Sequence, residues 1–339
     1  MMAVSNIFNI VLSLGSSVIV YHWFLLHEDR LPKWLLPIYA YGKTMKCKEG
    51  NNNHQNNAKT ANESYNHCKG NSKDKTTLRA FLDILLIPLP KWYFQYFYDF
   101  AVTFSLLLLL CIPIVNRLGL GFIVKLCVSI VFSDSVDKMN NISNLTDGST
   151  IFWTVFLLEL LQISRRCYEC HFVSVFATKS RMTVFQTIFG FAYYVAVSSA
   201  LLRMRLDSSL NNLPLSSINV LGIGIFVIGF FLQYKSHVML ANLRKRVRPS
   251  DQKELIVTTD HLIPFGGGFR LLSSPHYTAE CLIYLGLWLV SSFDTSMAVI
   301  LFNVIANHLM MSELSHRWYK KTFSDDYPSE RKMLIPWLL

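Results

Sequence analysis

The sequence predicts an all-α integral membrane protein, a bundle of about seven transmembrane helices that forms a single domain over residues 1–339. Hydrophobic residues make up 52% of the chain and charged residues only 16%. Several apolar stretches approach the roughly 20 residues with which a helix crosses a bilayer core. Lys and Arg are concentrated in alternate loops between these stretches, as in multi-pass membrane proteins.

Apolar runs of this length define the individual elements. They predict seven spans, at 7–26, 94–115, 147–164, 182–202, 218–236, 277–293 and 295–314. The first lacks a basic region before it, which favours a retained helix over a cleaved signal peptide. The third contains Glu159, and little more than Asp294 separates the last two. The stretch 118–132 is short and contains Lys125, so we expect an interfacial or re-entrant segment.

The distribution of basic residues predicts the orientation. Of the 32 Lys and Arg residues, 27 lie in the loops after the first, third, fifth and seventh spans or, for Lys235, at the adjoining end of the fifth span. By the positive-inside rule the N-terminus is lumenal or exoplasmic and the C-terminus is cytosolic. The net charge of +10 is therefore mainly a signal of topology. A basic face on a soluble module is missing, which argues against nucleic acid as a partner.

Two loops differ in composition from the spans. Residues 46–75 are rich in Asn, Lys and Ser, which predicts a disordered cytosolic insertion. The polar loop 133–146 is predicted to be lumenal and carries glycosylation sequons at Asn141 and Asn144. A third sequon, at Asn62, falls in the cytosolic insertion and is expected to be silent.

The seven cysteines are scattered, which argues against a disulfide framework. Cys167, Cys170 and His171 match the C-x-x-C-H spacing of covalent haem attachment and also half of a zinc site. No second C-x-x-C completes four ligands, and Arg165 and Arg166 lie beside the motif. We interpret the spacing as fortuitous and predict no metal.

Ionisable and polar groups in or beside the spans are the first candidates for function, because they are costly in a membrane. They are Glu159, Glu169, Glu280, Asn307, His308, Glu313 and His316. Pairing between helices is the alternative role for each. For Glu159 the sequence favours neither a functional role nor pairing between helices. The grouping of Glu280, His308 and Glu313 in the last two spans favours a functional role.

The loop between the fifth and sixth spans combines a triple glycine at 266–268 with the basic run 244–246. Glycine lets the backbone approach a ligand closely, and clustered Arg and Lys neutralise phosphates. Contact with lipid headgroups is the alternative. No G-x-G-x-x-G follows a strand, so any dinucleotide here is not held by a Rossmann domain.

Several motifs in this region resemble the steroid 5-alpha-reductase family. They are Asn-Leu-Arg-Lys at 242–245, Ile-Pro-x-Gly-Gly at 263–267, Ser-x-x-x-Tyr-x-x-Glu at 273–280 and the tail 316–336. The runs 165–176, 233–237 and 274–277 are similar to the polyprenol reductase branch of that family. Weaker similarity extends upstream to 41–44 and 90–94.

The resemblance implies a seven-helix bundle with NADPH buried among the second to seventh spans in its C-terminal region, 233–339. Carried over by position, Arg244 and Arg331 suit the phosphates and Glu280 suits a ribose or amide group. The full implied cofactor shell is Arg166, Gln233, His237, Arg244, His261, His276, Glu280, Ser315, Tyr319 and Arg331.

The implied reaction saturates the alpha-isoprene unit of a polyprenyl lipid in dolichol biosynthesis, which supports protein N-glycosylation at the endoplasmic reticulum membrane. Hydride transfer needs an electrophilic carbon, which the conjugated aldehyde polyprenal offers and the alcohol polyprenol does not. Candidate donors to the carbonyl oxygen are Tyr41, Tyr93 and Glu169. The chain departs from the steroid enzymes in having Ile163 in place of Tyr and Pro88 in place of an acidic residue.

Three alternatives stay open at this point. A 3-oxo-5-alpha-steroid 4-dehydrogenase would use the same machinery, but Ile163 and Pro88 weaken the steroid-contact pattern. A very-long-chain enoyl-CoA reductase shares the fold, although a soluble domain usually precedes its first span. A non-catalytic lipid-binding membrane protein would not bind NADPH.

Overall fold

A computed structural model describes residues 84–132, 139–142, 144–176, 180–210, 213–247, 255–257 and 262–336. The first predicted span and the 46–75 segment lie outside these ranges. Within them the chain forms seven main helices. These are α1 (Phe94–Arg117), α2 (Gly121–Phe132), α3 (Thr150–Tyr168), α4 (Val184–Leu206), α5 (Ser217–Asn242), α6 (Pro275–Val290) and α7 (Thr295–Phe323).

The helices confirm the predicted all-α membrane bundle. Four segments are long and apolar enough to cross a membrane, namely Lys91–Arg117, Val184–Leu206, Ser217–Asn242 and Thr295–Asp326. They contain α1, α4, α5 and α7. The sequence also predicted spans at α3 and α6; α3 contains Glu159 and two arginines, and α6 has only 16 residues. Both nevertheless contribute many of the most buried residues of the bundle.

Five of these helices, α1, α3, α4, α5 and α7, run further than hydropathy predicted, and α7 and α3 show why. Helix α7 continues nine residues past 314, because its polar last turns leave the apolar region without leaving helical geometry. Helix α3 continues to Tyr168 because Arg165 and Arg166 find buried partners there. Five further residues, Glu169–Val173, form a π-helical turn.

Short strands add a feature that the sequence did not predict. Strand β1 (Pro88–Pro90) pairs antiparallel with β2 (Arg181–Thr183), and β3 (Lys245–Val247) pairs antiparallel with β4 (Leu255–Val257). Each strand has three residues, so the ladders tie loops together at the helix ends. The β1–β2 ladder places Pro88 opposite Thr183, the residue that caps α4.

Helices α5 and α6 are in contact through their backbones. A Cβ atom built on Gly286 would lie 2.6 Å from the carbonyl oxygen of Gly222 and 2.7 Å from the amide of Phe226. A Cβ on Gly229 would lie 2.8 Å from the carbonyl oxygen of Ala279. Small residues permit this approach, as they do in many membrane helix pairs.

The main core lies between α3, α4, α6 and α7. Its buried side chains include Phe152 and Val155 of α3, Met204 of α4, Leu287 of α6 and Ile300 of α7. A separate aromatic cluster joins α1 to α3 and α4. Burial of these groups on both sides of α3 fixes the helix end that carries the polar site described below.

The connection between α6 and α7 lies at the opposite end of α6 from that site. Ser292 and Phe293 have positive φ angles of 57° and 65°, which makes the turn tight. Asp294 caps α7 by accepting from the amides of Ser296 and Met297, and it also pairs with Arg203 of α4.

Candidate functional site

The end of α3 holds a buried network of charges centred on Glu169. The Glu169 side chain is fully buried and accepts from Arg165 and Arg166, one guanidinium on each carboxylate oxygen. Nδ1 of His237, on α5, lies 2.7 Å from Oε2 of the same carboxylate. Glu169 follows the two arginines by four and three residues, the spacing at which side chains on one helix meet, and the π-helical turn begins at Glu169.

Two amide side chains extend the network to α6. Nε2 of Gln162 donates to Oε1 of Gln233 at 3.0 Å, and Gln233 donates to the carboxylate of Glu280. Arg165 donates to both Gln162 and Gln233. Helices α3, α5 and α6 are therefore joined by one continuous set of buried polar contacts.

The charge state of Glu169 follows from its partners. Burial alone would raise the pKa of this carboxyl group. The hydrogen bond from His237 and the positive charges of Arg166 and Arg165 outweigh burial and hold the pKa at about 2. Glu169 is thus a carboxylate at any physiological pH, and a carboxylate only accepts hydrogen bonds.

A row of rings leads from the network toward α7. The ring of His276 lies 5.6 Å from that of His237 and 4.2 Å from that of Tyr277. Tyr277 stacks on His308 with ring centroids 4.8 Å apart and an interplanar angle of 18°. Nδ1 of His308 is buried without a hydrogen-bond partner among the described residues.

A second polar group forms where the tail meets the start of α6. The hydroxyl of Ser273 lies 2.5 Å from Nδ1 of His316 and 2.6 Å from the hydroxyl of Tyr327. The ring of Tyr327 stacks on Tyr319 at 5.4 Å. The guanidinium of Arg331 lies over the Tyr327 ring, 5.3 Å from its centroid.

Arg331 is the most informative residue of this second group. It is only 3% exposed and lies between the rings of Phe265 and Tyr327. Its Nε and Nη1 atoms have no hydrogen-bond partner among the described residues. A buried guanidinium with open donors is costly, so this geometry fits an anionic ligand that the protein atoms do not supply.

Arg244 follows α5 and lies near the same group. It donates to the carbonyl oxygen of Val175. Burial lowers the pKa of Arg244 from its usual range, and the nearby hydroxyl of Tyr319 opposes that effect. Arg244 and Arg331 therefore both lie close to Tyr319, on which both act electrostatically.

Backbone hydrogen bonds hold the tail against the loop before α6. The amide of Ser273 donates to the carbonyl oxygen of Lys332 at 2.8 Å, and the amide of Lys332 donates to that of Leu271 at 2.9 Å. Thr278 donates to the carbonyl oxygen of Leu334. The regions 233–280 and 315–331, which the resemblance places in one cofactor site, therefore lie together in the structure.

The remaining predicted residues have varied positions. Ser315 lies on α7 beside His316. Tyr93 packs against aromatic rings at the start of α1, with the ring of Trp92 4.5 Å away. Glu313 pairs with Arg317 at 2.5 Å on the side of α7. Tyr41 and His261 lie outside the described residues.

Three members of the Glu169 network were not among the predicted site residues. They are Tyr98, whose hydroxyl accepts from Nε of Arg166 at 3.2 Å, together with Gln162 and Arg165. Helical spacing offered a signal for two of them, because Gln162, Arg165 and Glu169 follow one another at three- and four-residue intervals. Tyr98 comes from α1, and its contact depends on tertiary packing.

An apolar pocket elsewhere in the bundle contains none of the predicted site residues. It lies between α1, α3 and α4 and is lined by residues such as Ser105, Phe156, Leu201 and Arg205. The convergent polar groups near Glu169 and Arg331, rather than this pocket, define the candidate active site.

Comparisons with known proteins agree with this geometry. A family model described as 3-oxo-5-alpha-steroid 4-dehydrogenase matches residues 179–339. A polyprenal reductase of Drosophila melanogaster is 30% identical over 293 residues, which cover 82% of this chain and 83% of the relative. A polyprenal reductase of Homo sapiens is 31% identical over 260 residues, 74% of this chain and 77% of the relative.

The chain belongs to the steroid 5-alpha-reductase family. Within it, the similarity to curated polyprenal reductases places the chain in that branch, as the motifs at 165–176, 233–237 and 274–277 predicted. The 5-alpha-reductase family is one of oxidoreductases acting on CH–CH bonds, so this protein is a membrane-embedded oxidoreductase. The matched region 179–339 contains every described residue of the group around Arg331.

Proposed function

We propose that the protein reduces the alpha-isoprene double bond of polyprenal with NADPH. The observation that carries the proposal is Arg331, a buried guanidinium with two unpartnered nitrogen atoms held between two aromatic rings. An anion such as a nucleotide phosphate satisfies those donors. The names of the relatives support the choice of a polyprenyl substrate.

The donor set fits a dinucleotide phosphate. Arg331 and Arg244 supply guanidinium groups, which recognise phosphate oxygens in bidentate fashion. Tyr319 stacks on Tyr327, the ring over which Arg331 lies, and provides a further hydroxyl group. Gly266 and Gly267 have positive φ angles and lie in the same loop as Phe265, beside the side chain of Met239.

The residues around Glu169 suit the other half of the cofactor. Glu280 and His276 lie where α6 begins and are proposed to contact the ribose and amide groups. Gln233 holds Glu280 in place, while Arg166 and His237 are held by Glu169. Because the Glu169 carboxylate accepts rather than donates, we assign it a positioning role. Tyr41 and Tyr93 stay as the predicted donors to the substrate carbonyl.

The substrate preference follows from chemistry. NADPH supplies a hydride when bound, and a hydride adds to a carbon that is electron-poor. In polyprenal the aldehyde is conjugated with the alpha-isoprene double bond, so the beta carbon is electrophilic, whereas the isolated double bond of polyprenol offers no such centre. The protein orients the aldehyde, donates a hydrogen bond to its oxygen and excludes water.

We further propose that the enzyme acts in the endoplasmic reticulum membrane, with a lumenal N-terminus and a cytosolic C-terminus. In that orientation the groups around Arg331 face the cytosolic supply of NADPH. The product would be the saturated precursor of dolichol used in protein N-glycosylation.

The test uses full-length protein purified in detergent. Oxidation of NADPH and saturation of the lipid are measured with polyprenal and with polyprenol of the same chain length. We expect turnover with polyprenal only. Turnover of polyprenol without the aldehyde would contradict the substrate assignment, and turnover of neither would contradict the proposed reaction.

A binding measurement tests the cofactor site separately. We expect Arg331→Leu to weaken NADPH binding by at least about tenfold, since it removes a charge-assisted contact to phosphate. Arg317→Gln is the matched control, because that arginine lies on α7 and is engaged by Glu313. Equal affinities for the two variants would rule out Arg331 as the phosphate contact.

A further inference from the structure

Asp99, Cys167 and His171 come together at the junction of α1 with the end of α3. Oδ1 of Asp99 lies 2.8 Å from Nε2 of His171 and 3.2 Å from Sγ of Cys167. The three donor atoms lie within 4.8 Å of one another. Among the described residues this is the group of His, Cys and Asp or Glu side chains that could hold a metal ion.

The group is separate from the candidate active site. Neither the network around Glu169 nor the tail group around Arg331 uses any of its three side chains. The sequence reading dismissed the C-x-x-C-H motif because it lacked further ligands. The structure replaces Cys170, which is buried, with Asp99 from a different helix.

The two donor-atom distances that involve Asp99 are close to those of a tetrahedral zinc site. With bonds of about 2.3 Å to sulfur and 2.0 Å to nitrogen or oxygen, neighbouring ligand atoms in a tetrahedral site are roughly 3.3–3.5 Å apart. The observed separations from Asp99 are within about half an ångström of that range. One helical turn supplies Cys167 and His171 at a spacing of four residues, and Asp99 approaches from the facing helix.

We propose that Asp99, Cys167 and His171 bind a divalent transition-metal ion, with zinc the best match to a thiolate, imidazole and carboxylate set. On binding, the Cys167 thiol releases its proton to solvent and its sulfur forms a bond to the metal. His171 binds as a neutral imidazole. Water completes the fourth position.

The site is open to an incoming ion. The side chains of His171 and Asp99 are 33% and 38% exposed. In the structure His171 and Cys167 each form a hydrogen bond with the same oxygen atom, Oδ1 of Asp99. This arrangement keeps the three donors together before the ion arrives, which lowers the reorganisation needed for binding.

The metal would have a structural consequence. Cys167 and His171 flank Glu169, so coordination fixes the π-helical turn that presents this carboxylate to Arg165 and Arg166. It also ties that turn to α1 through Asp99.

Cobalt(II) titration of purified full-length protein, stripped with a chelator, tests the proposal. We expect one equivalent of cobalt per chain to produce a sulfur-to-metal charge-transfer absorption band, which zinc then removes by displacement. Cys167→Ser should abolish the band. Asp99→Asn and His171→Ala should weaken binding by at least about tenfold.

Cys111→Ser is the matched control, because Cys111 is an exposed free thiol on α1. It should leave the band and the stoichiometry unchanged. No band in the wild type, or the same band in Cys167→Ser, would overturn the assignment. Should Cys167→Ser fail to fold, unchanged cobalt affinity in Asp99→Asn and His171→Ala would overturn it as well.

Discussion

Glu169 shows how a single residue organises a buried polar site. It lies at the end of an apolar helix and neutralises part of the charge of two largely buried arginines. Removing one partner from such a group leaves uncompensated charge, which costs about 3–5 kcal/mol. The residue therefore matters to stability as well as to the proposed chemistry.

Replacing Glu169 by Gln should destabilise the protein by about 3 kcal/mol or more, because two guanidinium groups and His237 lose a charged acceptor. Glu313→Gln is the control, because it removes a more exposed pair with Arg317 that contributes less than about 1 kcal/mol. Unfolding in detergent, followed by circular dichroism, measures both. Similar losses for the two variants would contradict the role given to Glu169.

The effect of pH on the contribution of Glu169 to stability has a defined sign. The pKa of Glu169 falls from 4.5 to about 2, so its contribution is fully present above pH 4.5 and is lost as the pH falls toward 2. We expect the difference in stability between wild type and Glu169→Gln to be constant from about pH 6 to 8. A difference that changes steadily over that interval would show that another group titrates.

Glu159 offers a second test at the residue scale. It is 1% exposed, accepts from the hydroxyl of Tyr284 at 3.3 Å and has no partner for Oε2 among the described residues. Tyr284→Phe should cost about 1–3 kcal/mol, because it leaves the carboxyl group with no donor. The double variant with Glu159→Leu should recover most of that loss. A double variant less stable than Tyr284→Phe would contradict this account.

The sequence identified individual site residues better than their partners. Glu169 and Glu280 stood out as polar groups in or beside apolar helices, and the family resemblance supplied Gln233 and His237. The structure joins all four in one network. Tyr98 and Asp99 did not stand out in the sequence, since an aromatic or acidic residue near the start of a helix is common. Their significance arises from α3 packing against α1, which no local pattern encodes.

At the scale of elements, the contact between α5 and α6 is the tightest of the fold. Gly286→Val should destabilise the pair by about 3 kcal/mol or more, because its side chain would meet the backbone of α5. Gly224→Ala is the matched control, since a Cβ there meets nothing within 4 Å. Thermal unfolding of the two variants measures the difference, and equal midpoints would contradict this contact.

Element types were predictable and element ends were not. Each predicted span from 94 onward corresponds to a helix, because long apolar runs satisfy their backbone groups internally in a membrane. The ends moved where polar residues continue a helix beyond the apolar region, as in α7, or where buried partners extend it, as in α3. The three-residue strands depend on contacts between distant loops and leave no periodic signal.

For the whole molecule, the orientation in the membrane is a prediction that glycosylation tests. The loop with Asn141 and Asn144 is predicted to be lumenal, whereas Asn62 is predicted to be cytosolic. Expressed in a eukaryotic cell, the protein should show a mobility shift on endoglycosidase treatment that disappears in an Asn141→Gln, Asn144→Gln double variant. A shift that disappears only in Asn62→Gln would reverse the topology.

The contact between the region around the start of α6 and the C-terminal tail is also a property of the whole molecule. A shared cofactor site in 233–339 requires residues 233–280 and 315–331 to meet, and Ser273 joins them through hydrogen bonds with His316 and Tyr327. The burial of Arg331 between two rings was beyond prediction, because Phe265 and Tyr327 come from separate segments.

The close backbone contact between α5 and α6 at their glycine residues restricts the conformational changes of this enzyme. Two helices whose main chains touch at Gly222 and Gly286 neither separate nor slide without losing many contacts at once, so they act as a fixed wall. We therefore expect any opening that admits or releases a ligand to leave the α5–α6 pair intact and to involve other segments, such as 262–273. Hydrogen exchange should be slowest along that wall and fastest in that segment.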